Sequence, residues 1–126
     1  MGIGAAEART WLDGVFERAK FATPVLHIYE EGDPAITPQM DLIRSLTRSD
    51  RTLVKIDRMR HIDFTSLGFG AVAVPGLTGP SSPLLADKVR AVAGYTLLFV
   101  ELATGGKPVA PRAEPQPWLH VERIGR

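Results

Sequence analysis

Apolar positions cluster in two short runs of the chain, and each run ends in polar, turn-forming residues. Residues 25–29 (Val-Leu-His-Ile-Tyr) follow Pro24, and residues 53–57 begin Leu-Val-Lys-Ile. Both runs have the length and apolar content of strands. We expect them to form one short parallel sheet. His27 shares a face of the first strand with Val25 and Tyr29, so it is expected to be a packed or hydrogen-bonded structural residue.

Three longer stretches of the chain carry apolar residues at helical spacing, and a short helix is also expected at residues 63–69, where the apolar residues are not periodic. The predicted helices cover about residues 5–20, 37–48, 63–69 and 83–103. Thr37-Pro38 and Ser82-Pro83 each combine an N-cap residue with a proline at the first helical position. Helices that alternate with strands predict an α/β fold, in which the short two-stranded parallel sheet is flanked by helices.

The segment 107–126 differs in composition from the rest of the chain. It contains Pro108, Pro111, Pro115 and Pro117. Because proline interrupts helices, we expect an extended path over the surface. Trp118 and Leu119 are expected to attach its end to the body of the protein. We therefore divide the chain into a domain at 1–106 and a proline-rich extended tail at 107–126.

A residue suited to acid–base chemistry follows each predicted strand. Asp33 lies in the loop after residues 25–29, and His61 lies in the loop after residues 53–57. Because the carboxyl ends of parallel strands share one edge of a sheet, the two side chains are expected to meet there. Imidazole titrates near neutral pH, which suits a general base. His61 and Asp33 are therefore the candidate catalytic residues.

The order of these features resembles the C-terminal part of an α/β-hydrolase. A strand, the acidic Asp33 loop, a helix and a second strand are followed by His-Ile-Asp-Phe-Thr at residues 61–65. This order is similar to that of the branch containing dienelactone hydrolase and platelet-activating-factor acetylhydrolase-like proteins. Residues 93–106 resemble the terminal helix of that branch. The resemblance implies a partial α/β-hydrolase fold over about residues 23–104, with Asp33 as the acid that orients the base His61.

The resemblance also implies a serine nucleophile, and the sequence does not supply one. In the family the nucleophile lies on a Gly-x-Ser-x-Gly segment ahead of the acid and the histidine. The serines of this chain are Ser45, Ser49, Ser66, Ser81 and Ser82, and none has glycine two residues away on both sides. Ser66 comes nearest, but Phe64 replaces the first glycine. We expect the chain to lack ester hydrolase activity on its own.

Three other carboxylates compete with Asp33 for the orienting role. Glu31 lies in the same loop, and Asp57 and Asp63 lie within a few residues of His61. An incidental salt bridge forms more easily at that short separation than the buried, long-range hydrogen bond of a catalytic triad. We prefer Asp33 because it matches the family pattern and follows a glycine.

Composition limits the partners and the location. The 126 residues include 15 basic and 14 acidic side chains, a net charge of +1, so neither nucleic acid nor an anionic membrane is predicted as a partner. The chain has no cysteine, and its three histidines show no ligand spacing, so we expect no metal site and no cofactor. We find no membrane-spanning segment and no signal peptide, which predicts a cytoplasmic protein.

Two functions are consistent with these patterns. The first is the acid and base portion of a serine-type hydrolase that acts on small-molecule carboxylic esters or lactones, complemented by an N-terminal half. The second is a non-catalytic remnant or interaction module that forms a homodimer or binds a partner through an exposed sheet edge.

Overall fold

A computed structural model of the chain describes residues 18–33, 38, 40–106 and 114–125. Its strands are β1 (Val25–Tyr29), β2 (Arg51–Ile56) and β3 (Leu119–Ile124). Its α-helices are α1 (Met40–Ser45), α2 (Ser66–Ala73) and α3 (Leu85–Ala103). Short 3-10 helices lie at Arg18–Lys20 and His61–Phe64. The described residues therefore form a small α/β fold.

The three described strands form one mixed sheet in the order β1, β2, β3. β1 and β2 are parallel, and Val25 lies opposite Arg51. β2 and β3 are antiparallel, and Ile56 lies opposite Leu119. The central strand β2 is thus paired along both edges, which satisfies its backbone hydrogen-bonding groups.

The prediction of a two-stranded, purely parallel sheet was wrong, because β3 adds an antiparallel strand. The prolines of the tail end at Pro117, and the alternating residues Leu119, His120 and Val121 follow. An unpaired edge of β2 would leave backbone N–H and C=O groups without partners, and β3 pairs with them. The prolines of the tail predict an extended path, whereas the alternating residues after them indicate the strand.

The second strand also differs from its predicted bounds. It begins at Arg51 and ends at Ile56, so Asp57 lies in the turn after the strand. Arg51 is buried, and its guanidinium donates hydrogen bonds to the carbonyl oxygens of Ser49, Arg44 and Gly125. These bonds join the start of β2 to α1 and to the end of β3. Because these bonds satisfy the guanidinium group, a charged residue can occupy the first position of a buried strand.

The helices agree with the sequence in place but differ in detail. The predicted helix at 83–103 corresponds to α3, although Leu84 and not Ser82 is its N-cap. The predicted helix at 63–69 is divided at Thr65, whose hydroxyl accepts a hydrogen bond from the Leu67 N–H and caps α2. The helix predicted at 37–48 is described over Met40–Ser45 and ends before Leu46, whereas its predicted N-cap Thr37 lies outside the described residues. The helix predicted at 5–20 lies outside the described residues except for Arg18–Lys20.

The hydrophobic core lies between the sheet and the helices α2 and α3. Val54 and Ile56 of β2 are fully buried against Ala71, Leu85 and Val89. α2 approaches the 3-10 helix His61–Phe64 so closely that a Cβ atom at position 68 would overlap the main-chain carbonyl of Asp63. Gly68 therefore permits this contact, which places the turn bearing His61 against the core.

Candidate functional site

Asp33 and His61 lie together at the carboxyl ends of the parallel strands β1 and β2. The Asp33 Oδ2 atom accepts a hydrogen bond of 2.8 Å from the main-chain N–H of His61. The donor in this bond is the peptide group of His61 and not a ring nitrogen. The two loops therefore converge, and the acid holds the backbone of the histidine.

Glu30 shapes the loop that presents Asp33. Its carboxylate accepts hydrogen bonds from the main-chain N–H groups of Gly32 and Asp33, the latter at 2.6 Å. A carboxylate that accepts N–H groups two and three residues ahead forms a local turn. Glu30 is not among the residues that the sequence patterns predicted for the site. The signal for it was an acidic residue directly after a strand and two residues before a glycine.

A polar network fixes the turn that carries His61. The Asp63 carboxylate accepts hydrogen bonds from the Arg60 main chain and guanidinium and from Ser82 Oγ, at 2.6 to 3.1 Å. The Arg60 guanidinium also donates to the carbonyl and hydroxyl oxygens of Thr78, both at 2.9 Å. The network connects the turn that carries His61 to the loop ahead of α3. Its members Arg60 and Asp63 lie before and after His61 in the sequence.

The Asp63 side chain is fully buried and ionised within this network. Burial raises the pKa of its carboxyl group, and hydrogen bonds from Arg60 and Ser82 outweigh that effect, so the pKa lies below its usual value. A buried carboxylate with several donors is a structural anchor. Asp63 is thus engaged in holding the turn, with its oxygens directed at Arg60 and Ser82.

Two other competing carboxylates contact cations. Asp57 Oδ2 lies 2.7 Å from Nε2 of His120, and its Oδ1 lies 3.7 Å from Lys55 Nζ. Hydrogen bonding to His120 lowers the pKa of Asp57 in spite of partial burial. Glu31 lies 3.5 Å from the same Lys55 Nζ. These groups form a half-exposed row beside the site, and Asp33 is the carboxylate bonded to His61.

A cavity of about 690 Å³ opens beside the two loops. Its lining residues come from the Asp33 loop, the His61 turn and the loop before α3: Glu30, Gly32, Asp33, Arg58, Met59, Arg60, His61, Ile62, Pro80, Ser81, Ser82 and Pro83. A smaller cavity of about 230 Å³ adjoins it and shares Glu30, Asp33 and His61. His61 thus faces a space large enough for a small organic molecule.

His27 lines the smaller cavity from the middle of β1. Its ring stacks on Tyr29 at a centroid distance of 5.2 Å, and burial lowers the pKa of the imidazole. The Nε2 atom is buried and has no hydrogen-bond partner within the described part of the chain. The ring is half-buried and packed as expected, and its polar atom is unsatisfied.

The site brings the carboxylate of Asp33 to the residue that carries the His61 imidazole. Among residues 18–33, 38, 40–106 and 114–125, no three His, Cys, Asp or Glu side chains are grouped to hold a metal ion. The described helices also include none with the length and apolar character that crossing a bilayer requires. The chemistry available in these residues is proton transfer by imidazole, assisted by carboxylates.

Comparison with known proteins adds no relative to this picture. No protein-family model, curated protein or solved structure matches the chain.

Proposed function

We propose that this chain provides the acid and base of a serine-type hydrolase that acts on carboxylic esters or lactones, and that a separate polypeptide segment provides the nucleophile. The observation that carries the proposal is the hydrogen bond between Asp33 and His61 at the shared rim of two parallel strands. Asp33 and His61 belong to loops far apart in sequence, and each follows its strand directly. Sites in open parallel sheets are normally built at this rim. The bond to the main chain of His61 brings the carboxylate next to the residue whose ring it would orient in the proposed reaction.

In the proposed reaction, His61 takes the proton of a serine hydroxyl as that oxygen attacks the ester carbonyl. It then returns the proton to the leaving alcohol. Asp33 stabilises the imidazolium that forms between these steps. A carboxylate has lone pairs for several hydrogen bonds, so the main-chain bond to His61 through Oδ2 is compatible with acceptance of the ring N–H during the reaction.

The surfaces around the site are consistent with a missing neighbour. Within the described residues β1 pairs only with β2, so its second edge is open to another strand. On α3, Leu97 and Val100 are three residues apart on one face and are 52% and 49% exposed. On α2, Phe69 and Val72 repeat this spacing at 53% and 41% exposure. Apolar helix faces of this kind are normally covered by protein.

The test combines the chain with the polypeptide encoded directly upstream of the Met1 codon. We expect that region to encode a Gly-x-Ser-x-Gly segment, and we expect the co-expressed pair to hydrolyse p-nitrophenyl butyrate or a simple lactone. The chain alone should not exceed the buffer rate. His61→Ala should lower the activity of the pair by about 10⁶-fold. His120→Ala is the matched control, since His120 contacts Asp57 outside the site.

Two results would reject the proposal. One is hydrolysis by the isolated chain that His61→Ala abolishes, because the nucleophile would then lie within these residues. The other is an inactive pair, or an upstream region without the serine segment.

A second candidate function follows from the same open surface. The exposed β1 edge and the apolar faces of α2 and α3 also suit an interaction module that forms a homodimer. Sedimentation equilibrium of the isolated chain distinguishes the two functions. A stable dimer that Leu97→Asp converts to a monomer, together with an inactive co-expressed pair, favours the module.

A further inference from the structure

A buried lysine contacts the turn between β2 and the 3-10 helix His61–Phe64. Lys88 of α3 is only 1% exposed. Its Nζ atom donates hydrogen bonds to the carbonyl oxygens of Asp57, at 2.7 Å, and Arg58, at 3.2 Å. Full burial of a lysine is rare unless its ammonium group has partners, and here the partners are two consecutive peptide carbonyls of the turn that leads to His61.

The turn that Lys88 contacts has an unusual backbone conformation. Arg58 has a φ of 54°, in the left-handed region that residues with a side chain seldom adopt. In this conformation the carbonyl groups of Asp57 and Arg58 both reach one ammonium group. The peptide conformation that is unfavourable for Arg58 is thus the one in which Lys88 has two acceptors.

Trp118, directly before β3, also contacts this turn. The Asp57 N–H donates to the Trp118 carbonyl at 2.9 Å. The Lys88 ammonium also lies 5.9 Å from the centre of the Trp118 ring, within the range of a cation–π interaction. Asp57 is therefore fixed through its N–H by Trp118, directly before β3, and through its C=O by Lys88 of α3. Only Met59 and Arg60 lie between Arg58 and His61, so the position of this turn sets the start of the loop that carries His61.

We propose that Lys88 is a positioning residue for His61, acting by holding the Asp57–Arg58 carbonyl groups so that the next turn delivers the His61 N–H to Asp33. The described hydrogen bonds of Lys88 go to the turn, and not to Asp33 or to the imidazole of His61. The assignment of His61 as a base rests on the proposed function, whereas the hold on the turn is measurable in the isolated chain.

The test is amide hydrogen exchange by NMR in Lys88→Met, which keeps the apolar stem and removes the ammonium group. The informative amides are those of Asp57, Arg60 and His61, because each donates a described hydrogen bond. Leu98→Ala is the control, since it weakens α3 at a buried position away from the turn. At matched global stability we expect the three amides to exchange about tenfold faster in Lys88→Met than in the control.

The Cε1–H resonance of His61 provides a readout that general destabilisation does not move. It should shift in Lys88→Met and stay in place in Leu98→Ala. Equal exchange of the three amides in the two variants, with an unmoved His61 resonance, would overturn the proposal. If Lys88→Met does not fold, the unaltered chain is used. We then measure the NMR scalar coupling between Lys88 Nζ and the carbonyl carbons of Asp57 and Arg58, which hydrogen bonds transmit. Absence of this coupling overturns the proposal. None of these outcomes depends on ester hydrolysis, so they test Lys88 separately from the proposed function.

Discussion

Ser82 Oγ donates a hydrogen bond of 2.6 Å to the buried carboxylate of Asp63. The sequence presents Ser82 as a helix cap and Asp63 as a charged neighbour of His61. In the structure the two side chains meet under the loop before α3, where Arg60 completes the network. This contact joins two walls of the larger cavity, so the shape of the site depends on one buried charge.

Replacing Asp63 with asparagine tests the contribution of that charge. In Asp63→Asn the amide group turns an N–H₂ toward donors of Arg60 and leaves the guanidinium without its anion. We expect the free energy of unfolding to fall by about 2–3 kcal/mol, measured by urea denaturation. Asp87→Asn is the matched control, because Asp87 pairs with Arg90 on the surface. Its effect should stay within about 0.5 kcal/mol, and equal losses in the two variants would contradict this account.

The same carboxylate predicts a dependence of stability on pH. The pKa of Asp63 is lower in the folded chain than its ordinary value of about 3.9. A depressed carboxyl pKa contributes stability that is present above the unfolded-state pKa and is lost as the pH falls through the folded-state pKa. The stability difference between the unaltered chain and Asp63→Asn should therefore be constant near neutral pH and shrink below about pH 4. Urea midpoints measured from pH 7 to pH 3 check this, and a difference at pH 3 as large as that at pH 7 would count against it.

Two glycine substitutions of opposite sign test the close approach of α2 to the His61 turn. In Gly68→Ala the new methyl group overlaps the Asp63 carbonyl, so one of the two helices must move. We expect a loss of about 1–3 kcal/mol in the free energy of unfolding. Gly94 lies within α3, and a Cβ atom there has no neighbour within 4 Å among the described residues. Gly94→Ala should stabilise the chain by roughly 0.5–1 kcal/mol, and two changes of the same sign would be inconsistent with this packing.

The sequence predicts those parts of the fold in which a periodic pattern coincides with burial. β1 and α3 lie close to their predicted positions because a short apolar run bounded by turn residues indicates β1 and helical spacing indicates α3. The convergence of the Asp33 and His61 loops also agrees with their places after neighbouring parallel strands. Local pattern and tertiary packing point the same way at these positions.

The remaining features depend on long-range contacts between polar groups. Arg51 and Lys88 read as surface residues, because charged side chains are seldom buried unless they are paired. Their partners are main-chain carbonyls brought together only by the fold. The pairing of β3 with β2 likewise depends on the return of the chain after α3, which the prolines of the tail conceal.

The proposed function depends most on Asp33 as the acid for His61, and one comparison of two variants tests this assignment directly. In the co-expressed pair, hydrolysis of p-nitrophenyl butyrate is measured with Asp33→Asn and with Asp57→Asn, a carboxylate of the same type that contacts His120. We expect Asp33→Asn to lower kcat by about 10³–10⁴-fold and Asp57→Asn to change it less than about threefold. Full activity in Asp33→Asn, or a loss confined to Asp57→Asn, would contradict the assignment.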